Sequence, residues 1–218
     1  MKKLNFIIKC GLALLLLSFY SCESWLNVTP SDRLSEEMLF NDREGFVKAL
    51  NGVYIELNTN ELYGRNLTAG ALDVMGQYYS VASSSHAFYN YGGLVYTGND
   101  EKALFDNMWQ KCYAVIACCN TIIEKCDENK AGLSPVWRGS IKGEALALRA
   151  MLHFDMLRLF GPLTSELDKE SIPYQTNSDQ TVTPLLSGSE VVGLILDDLK
   201  NAVGLLKDTD PYFVEEEF

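Results

Sequence analysis

The sequence predicts an all-α fold of paired antiparallel helices joined by long irregular loops. Apolar residues recur at helical spacing in five segments between about residues 42 and 207. The two longest, from about 101 to 126 and from 134 to 160, are separated by a short loop, so they must pack antiparallel. No strand pattern is expected, because residues 182 to 186 are too few and Pro184 interrupts them. The chain therefore belongs among helix-on-helix architectures.

The N-terminus has the pattern of an export signal. Lys2 and Lys3 precede an apolar run, residues 10 to 20, that is too short to span a bilayer as a helix. The small residue Ser21 then precedes Cys22, as in a lipobox. We predict a lipoprotein signal peptide over residues 1–21, lipidation of Cys22 and a lipidated tether over residues 22–40. The alternative is ordinary secretion with Cys22 as a bystander.

Two helices are predicted next. The first begins near residue 42 with Asn41 or Asp42 as its cap, and its apolar face carries Phe46, Leu50, Val53, Tyr54 and Leu57. After a loop over residues 58–65, Thr68 can cap a second helix that extends to Tyr79. Residues 80–100 are rich in Ser, Gly, Asn and Tyr without a sustained period. Loops of this length in a compact domain are usually functional or disordered, and the aromatic density argues against disorder.

The two long helices form a hairpin. One face of the first carries Trp109, Tyr113, Ile116, Asn120 and Ile123. Ser134 caps the second helix and Pro135 is its first residue. Gly161 can take a left-handed conformation and Pro162 cannot continue a helix, so the second helix ends at Phe160. The pair looks like one tetratricopeptide-type unit, which predicts a tetratricopeptide-like α-α superhelix.

A last helix follows the Pro-, Thr-, Ser- and Gln-rich loop over residues 162–188. It extends from about residue 189 to residue 207, with a predicted core stripe of Val192, Ile195, Leu199, Ala202 and Leu206. Asp197 and Asp198 fall outside this stripe. We therefore predict that both aspartates are exposed to solvent.

The cysteines and histidines give no catalytic or metal-binding pattern. Beyond Cys10 and Cys22, the cysteines all lie on the first long helix, at Cys112, Cys118, Cys119 and Cys126. Positions seven apart on a helix are separated by roughly 10 Å, too far for a disulfide, so these cysteines are predicted to be small core residues. His86 and His153 are predicted to be structural. We expect no enzyme activity, no cofactor and no metal.

The acidic composition restricts the partners. The formal net charge is −11, and it falls to −14 when the signal peptide with its three lysines is removed from 18 basic and 29 acidic residues. Phosphate binding needs a basic patch, so nucleic acid is excluded as a partner. The length suits one domain of ordinary size.

Five segments, taken in order, resemble the SusD/RagB family of surface lipoproteins, which capture nutrients for outer-membrane transporters in Bacteroidetes. They are residues 22–30, 46–54, 109–122, 144–162 and 190–206. The fourth carries the E-A…R-A…F…L…F-G-P pattern, and the fifth contains Asp198-Leu199. Family members are typically well over twice this length. Residues 41–218 are therefore expected to form the N-terminal helical domain, with the C-terminal part of the family fold absent.

This resemblance implies a lipoprotein of the cell outer membrane, anchored through Cys22 and facing the exterior. It would bind a glycan, such as a starch- or polysaccharide-type oligosaccharide, and deliver it to a SusC-like TonB-dependent transporter. Two alternatives remain. The chain is a helical scaffold or truncated family member that only docks on a protein partner, or it is a peptide-binding relative.

Glycan binding needs flat aromatic faces with hydrogen-bonding groups beside them, and the segment around residues 77–96 supplies both. The predicted ligand-binding residues are Tyr78, Tyr79, Tyr89, Asn90, Tyr91 and Tyr96, with Gln77 and Phe88 nearby. For any single tyrosine, packing in the loop or core is an equal alternative. Trp109 and Trp137 lie in helical periodicity and are predicted core residues.

Overall fold

Helices dominate the residues that the computed structural model describes, 36–179 and 181–206. In chain order the elements are α1 (Glu36–Leu39), α2 (Arg43–Leu57), α3 (Ala71–Met75), α4 (Tyr89–Gly92), α5 (Asn99–Glu128), α6 (Pro135–Phe160), β1 (Glu170–Pro173), β2 (Leu185–Ser187) and α7 (Gly188–Leu206). A 3-10 turn at Thr164–Glu166 lies between α6 and β1. The predicted helical fold class is confirmed.

The two strands correct the expectation that the chain forms none. β1 and β2 pair antiparallel, with Glu170 opposite Ser187 and Pro173 opposite Leu185. Ile172 in β1 is fully buried in the core. The sheet is too short for an alternating pattern to be visible in the sequence. Burial against the helices therefore stabilises it, since a two-stranded sheet is marginal alone.

The long helices alternate in direction. Asn120 Oδ1 of α5 accepts a hydrogen bond from Arg149 Nη1 of α6 at 2.7 Å. Lys142 near the start of α6 pairs with Asp127 near the end of α5. These contacts make α5 and α6 an antiparallel hairpin. Lys111 of α5 pairs with Glu56 near the end of α2, so α2 lies against the same hairpin.

Helix α7 packs along α6, and Gly143 allows its C-terminal end to approach. A β-carbon at Gly143 would lie 2.8 Å from Leu206 Cγ and 3.2 Å from Leu205 Cβ. Near the middle of the same pair, Arg149 of α6 contacts Asp198 of α7. Higher numbers on α7 therefore meet lower numbers on α6, which makes this pair antiparallel as well.

The buried face of α7 is rotated from the predicted one. The structure buries Val191, Ile195, Asp198 and Ala202 and leaves Leu199 and Leu206 exposed. The apolar side of this helix is broad, so periodicity did not identify which part of it faces inward. The prediction that Asp198 is exposed is wrong, because its carboxylate binds a buried arginine; Asp197 is exposed as predicted.

Capping residues fix where the helices begin. The Asp42 carboxylate accepts a hydrogen bond from the Gly45 amide at 2.8 Å, and the Ser134 hydroxyl accepts one from Trp137 at 3.4 Å, both as predicted. Thr68 does not cap α3, which begins at Ala71 and ends at Met75 instead of reaching Tyr79. Gly161 has a φ of −81° rather than a left-handed value. A side chain there would meet Leu157 O at 2.4 Å, so close packing explains this glycine.

The core confirms most of the cysteine prediction. Cys112, Cys119 and Cys126 are buried, whereas Cys118 is exposed. Trp109 and Trp137 are only partly buried, and both pack against the core.

The N-terminal predictions fall largely outside the described residues. The signal peptide over residues 1–21 and the lipidation of Cys22 lie outside them altogether. Of the predicted tether, residues 36–40 are described, and there Phe40 is buried with its ring centroid 4.8 Å from that of Phe46. The end of the predicted tether is therefore part of the packed helical domain.

Membrane-spanning helices and clusters of metal-ligating side chains are absent from the described residues. None of the described helices is both long and apolar enough to cross a membrane. Within the same residues, no group of three His, Cys, Asp or Glu side chains is placed to hold a metal ion.

Candidate functional site

The segment between α3 and α5, residues 76–98, carries all six predicted ligand-binding residues, and none of them lies in a long helix. It begins and ends near two non-glycine residues in the left-handed region, Gln77 with φ 63° and Leu94 with φ 54°. Such conformations cost free energy and persist where surrounding contacts hold them. Between them the chain forms the short helix α4, which the sequence did not predict.

Three tyrosines of this segment face solvent. The exposed fractions are 80% for Tyr78, 52% for Tyr79 and 42% for Tyr89. Tyr78 and Tyr79 lie three and four residues after the end of α3, and Tyr89 begins α4, which packs against α3. We call Tyr78, Tyr79 and Tyr89 the tyrosine surface. Exposed aromatic rings of this kind offer large, rigid contact area at low entropic cost.

Tyr91 is placed quite differently. It is only 2% exposed, and its ring centroid lies 5.8 Å from that of Phe88, 6.0 Å from that of Phe105 and 6.4 Å from that of Tyr96. Burial raises the pKa of its hydroxyl, with the carboxylates of Glu101 and Asp100 adding to the effect. In this structure Tyr91 anchors the segment from within, and Tyr96 is half-buried beside it.

Contacts between rings continue from Tyr91 to the long hairpin. Phe105 of α5 lies 6.2 Å from Phe160 at the end of α6, and Phe160 lies 5.0 Å from Trp109, in both cases edge to face. Edge-to-face pairs at these separations are favourable. The C-terminal end of α6 therefore supports the segment that carries the tyrosine surface.

Two amides fix the segment by hydrogen bonds. Gln77 Nε2 donates to the Gly92 carbonyl at 2.9 Å and so ties the end of α3 to α4. Asn90 Nδ2 donates to Glu101 Oε1 at 2.7 Å, which ties α4 to the first turn of α5. This hydrogen bond lowers the pKa of the Glu101 carboxyl. The Asn90 amide nitrogen is thus already occupied by the protein.

A second polar cluster lies between the long helices and was not predicted. Arg149 donates from Nε and Nη2 to the two carboxylate oxygens of Asp198 and from Nη1 to Asn120 Oδ1, each at 2.7 Å. Tyr174 also donates to Asp198 Oδ2, at 2.5 Å. One sequence feature could have indicated this cluster, because Asn120, Arg149 and Asp198 each lie in a segment that resembles the family. Since these side chains are buried and satisfied by one another, the cluster is structural.

His153 belongs to this cluster and is buried, in agreement with its predicted structural role. Its Nε2 accepts a hydrogen bond from the Gln175 amide at 3.0 Å, so Nδ1 carries the proton and donates to the Arg149 carbonyl at 2.9 Å. Burial lowers the pKa of His153 to about 4. His86, in contrast, is exposed, and its Nδ1 accepts from the Phe88 amide at 3.1 Å.

The same helices hold the irregular chain that follows β1. Asn120 Nδ2 donates to the carbonyls of Gln175 and Asn177 at 3.1 and 2.8 Å. Glu124 accepts from the amide and hydroxyl of Ser178 at 2.7 and 2.5 Å. Residues 175–178 of the loop predicted over residues 162–188 are therefore fixed on α5.

The chain matches a family model over residues 24–214, and that family is described as starch-binding and associating with the outer membrane. It is also similar to two curated relatives from Formosa agariphila. SusD-like protein P38 is 27% identical over 199 residues, which cover 84% of this chain and 34% of P38. SusD-like protein P2 is 26% identical over 166 residues, which cover 74% of this chain and 30% of P2. The chain thus spans about a third of the length of these relatives.

Solved structures show the same fold. A SusD superfamily protein from Bacteroides thetaiotaomicron aligns with a TM-score of 0.60 and 20% identity, covering 75% of this chain and 37% of that protein. One from Bacteroides vulgatus aligns with a TM-score of 0.59 and 22% identity, covering 78% of this chain and 36% of that protein.

Proposed function

The chain belongs to the SusD-like family, and from this membership we propose that it binds a glycan at the tyrosine surface without cleaving it. The observation that carries the proposal is that residues 76–98 contain one buried tyrosine and three exposed ones. Tyr91 is buried and anchors the segment, while Tyr78, Tyr79 and Tyr89 face solvent. A sugar ring has an apolar side that an exposed aromatic face can cover.

The ligand class follows from the family description. That description names starch, so starch- or polysaccharide-type oligosaccharides are the first candidates. Hydrogen bonds to sugar hydroxyls would come from polar groups of the same segment, including the Asn90 Oδ1 atom and the tyrosine hydroxyls. A peptide ligand is the alternative for the same surface.

We further propose that the protein delivers its glycan to a SusC-like TonB-dependent transporter at the cell outer membrane. The support is the family's association with that membrane and the lipobox-like sequence ending at Cys22. Lipidation of Cys22 would anchor the chain at the exterior without a membrane-spanning helix. Mass spectrometry of the N-terminal peptide from the expressing cell tests this step, since an acylated Cys22 supports it and an unmodified Cys22 contradicts it.

Isothermal titration tests ligand binding directly. The chain from residue 23 onward would be titrated with starch-type oligosaccharides, other polysaccharide fragments and peptides. The triple variant Tyr78→Ala/Tyr79→Ala/Tyr89→Ala should bind the recognised glycan at least tenfold more weakly, a loss of about 1.4 kcal/mol or more. Analysis of the glycan after incubation should show no cleavage products.

A matched control is available on α2. Tyr54 is also exposed, but it lies outside the segment and its hydroxyl donates to Glu144 at 3.0 Å. Tyr54→Ala should leave the affinity unchanged. A folded sample that binds no glycan, or a triple variant that binds as well as the unaltered chain, contradicts the proposal.

One observation favours the alternative of a scaffold that docks on a protein. Leu196, Leu199 and Val203 of α7 are exposed and lie three and four residues apart, so they share one side of that helix. An exposed apolar stripe suits contact with another polypeptide. Capture of an outer-membrane transporter by a chain that binds no glycan would support this alternative, and loss of that capture in Leu199→Asp would locate the contact.

A further inference from the structure

We propose that the tyrosine surface takes an anionic glycan and that Arg65 binds its carboxylate or sulfate group. This inference rests on the proposed function and narrows its ligand class. It arises from the position of one arginine, which the sequence did not single out.

Arg65 is brought to the segment by a ring contact. Its guanidinium carbon lies 5.9 Å from the ring centroid of Phe88, the residue directly before Tyr89. Phe88 in turn contacts the buried Tyr91 and the exposed His86, with centroids 5.8 and 5.7 Å away. The positive charge therefore lies at the edge of the segment that carries the tyrosine surface. A guanidinium near an aromatic face gains cation–π stabilisation.

The arginine is held at one end of its guanidinium. Nε donates to Asn66 Oδ1 at 3.1 Å. Asn66 is buried, and its backbone amide and carbonyl bond to Asn60 and Leu72, so the acceptor is fixed in the fold. Among the described residues, none accepts a hydrogen bond from either Nη atom of Arg65. The two Nη groups are donors that two oxygens of a carboxylate or sulfate group can engage.

Two other arginines of the described residues show the contrast. Arg149 is bound to the Asp198 carboxylate, and Arg158, which lies 5.5 Å from the Phe154 ring, is 3.6 Å from Asp155. Arg65 is exposed and has no described carboxylate within 4.0 Å, in a chain with 29 acidic and 18 basic residues. Arg65 is therefore a positioned cation that no carboxylate of the described residues neutralises by direct contact.

The surrounding acidic residues set the limits of this contact. α3 contributes Asp73, and the first turn of α5 contributes Asp100 and Glu101. Together with the net charge of −11, they disfavour an anion at longer range. A favourable interaction must therefore be local, through Arg65. Added salt distinguishes attraction at Arg65 from repulsion by the acidic chain. Salt lowers the affinity for an anion if the local attraction dominates, and raises it if the general repulsion dominates.

The test compares a neutral oligosaccharide with two anionic ones of similar length. Maltooligosaccharide, oligogalacturonide and a sulfated carrageenan oligosaccharide would be titrated into the chain from residue 23 onward. We expect at least one of the anionic oligosaccharides to bind more tightly than the neutral one, and binding to weaken as NaCl is raised. The comparison of oligogalacturonide with carrageenan tells whether a carboxylate or a sulfate is preferred.

Substitutions then assign the contact. Arg65→Gln should weaken binding of the anionic oligosaccharide at least tenfold while changing binding of the neutral one less than twofold, and Arg65→Lys should fall between, since lysine lacks the two-point contact. Lys200→Gln makes the same change in net charge on α7 and should have no effect. Unchanged far-UV spectra and melting midpoints would confirm that each variant is folded.

The outcomes separate this inference from the proposed function. Binding of the neutral oligosaccharide alone, an equal loss for neutral and anionic ligands in Arg65→Gln, or affinity for the anion that rises with salt would each overturn the role of Arg65 and leave glycan binding intact. Silence of the folded chain toward all three oligosaccharides and the wider panel would overturn both.

Discussion

Arg149 of α6 donates two hydrogen bonds to the Asp198 carboxylate of α7, from Nε to Oδ2 and from Nη2 to Oδ1, each at 2.7 Å. Both side chains are buried, and Asn120 and Tyr174 satisfy the remaining polar atoms around them. The pair joins the long hairpin to the last helix. Together with Asn120, the pair links three of the segments that resemble the family.

Breaking this pair from one side should destabilise the domain strongly. Asp198→Asn removes the charge that Arg149 needs, and a buried unpaired charge costs about 3–5 kcal/mol. The double variant Arg149→Met/Asp198→Leu leaves no unpaired charge and should recover part of the loss. Urea unfolding followed by circular dichroism measures both. A loss below about 1 kcal/mol in Asp198→Asn would show that the buried pair is not a main contributor.

His153 should make stability depend on pH. Its pKa is lowered from 6.5 to about 4, so between these values the unfolded chain binds a proton that the folded chain does not. The free energy of unfolding is therefore full above about pH 6.5, falls as the pH decreases toward 4, and loses at most on the order of 3 kcal/mol. Urea unfolding between pH 7.5 and 5 measures this change.

The matched comparison for this pH effect is His153→Gln, whose side chain can still accept from Gln175 but does not titrate. Its free energy of unfolding should fall less steeply with decreasing pH than that of the unaltered chain, by up to about 1.4 kcal/mol per pH unit. Identical pH slopes in the two proteins would exclude His153 as a source of the effect.

Two glycines of α2 should respond oppositely to the same substitution. A β-carbon at Gly45 would lie 1.5 Å from the Leu39 carbonyl oxygen, so Gly45→Ala must move the turn before the helix. We expect a loss of more than about 2 kcal/mol, as for other overpacked sites. At Gly52 no atom lies within 4 Å, and Gly52→Ala should stabilise by about 0.4–1 kcal/mol. Calorimetric melting measures both, and equal shifts would contradict this account.

The helices could be predicted because the residues that begin and end them are close to each other along the chain. The Asp42 and Ser134 caps, Pro135 at the start of α6 and the stop after Phe160 all act within one turn of chain. The face of α5 that carries Ile116 and Asn120 was also correct, since it alternates with polar residues at helical spacing. The family-like segments added the order of the helices.

The predictions that were wrong concern residues whose placement depends on contacts with distant parts of the chain. Asp197 and Asp198 are identical side chains, and only the register of α7 on α6 places Asp198 against Arg149. The β1–β2 sheet is likewise stabilised by burial of Ile172 rather than by its own pattern. Among the predicted ligand residues, the sequence could not separate buried Tyr91 from exposed Tyr89, because α4 that orients them is only four residues long.

Hydrogen–deuterium exchange shows directly whether glycan binds at the tyrosine surface. The chain from residue 23 onward would be compared with and without a saturating concentration of the oligosaccharide that titration identifies. If glycan binds there, exchange should slow in peptides covering residues 76–98 and should not change in peptides of α7. Slower exchange confined to α7 or to other helices, with residues 76–98 unaffected, would contradict binding at the tyrosine surface.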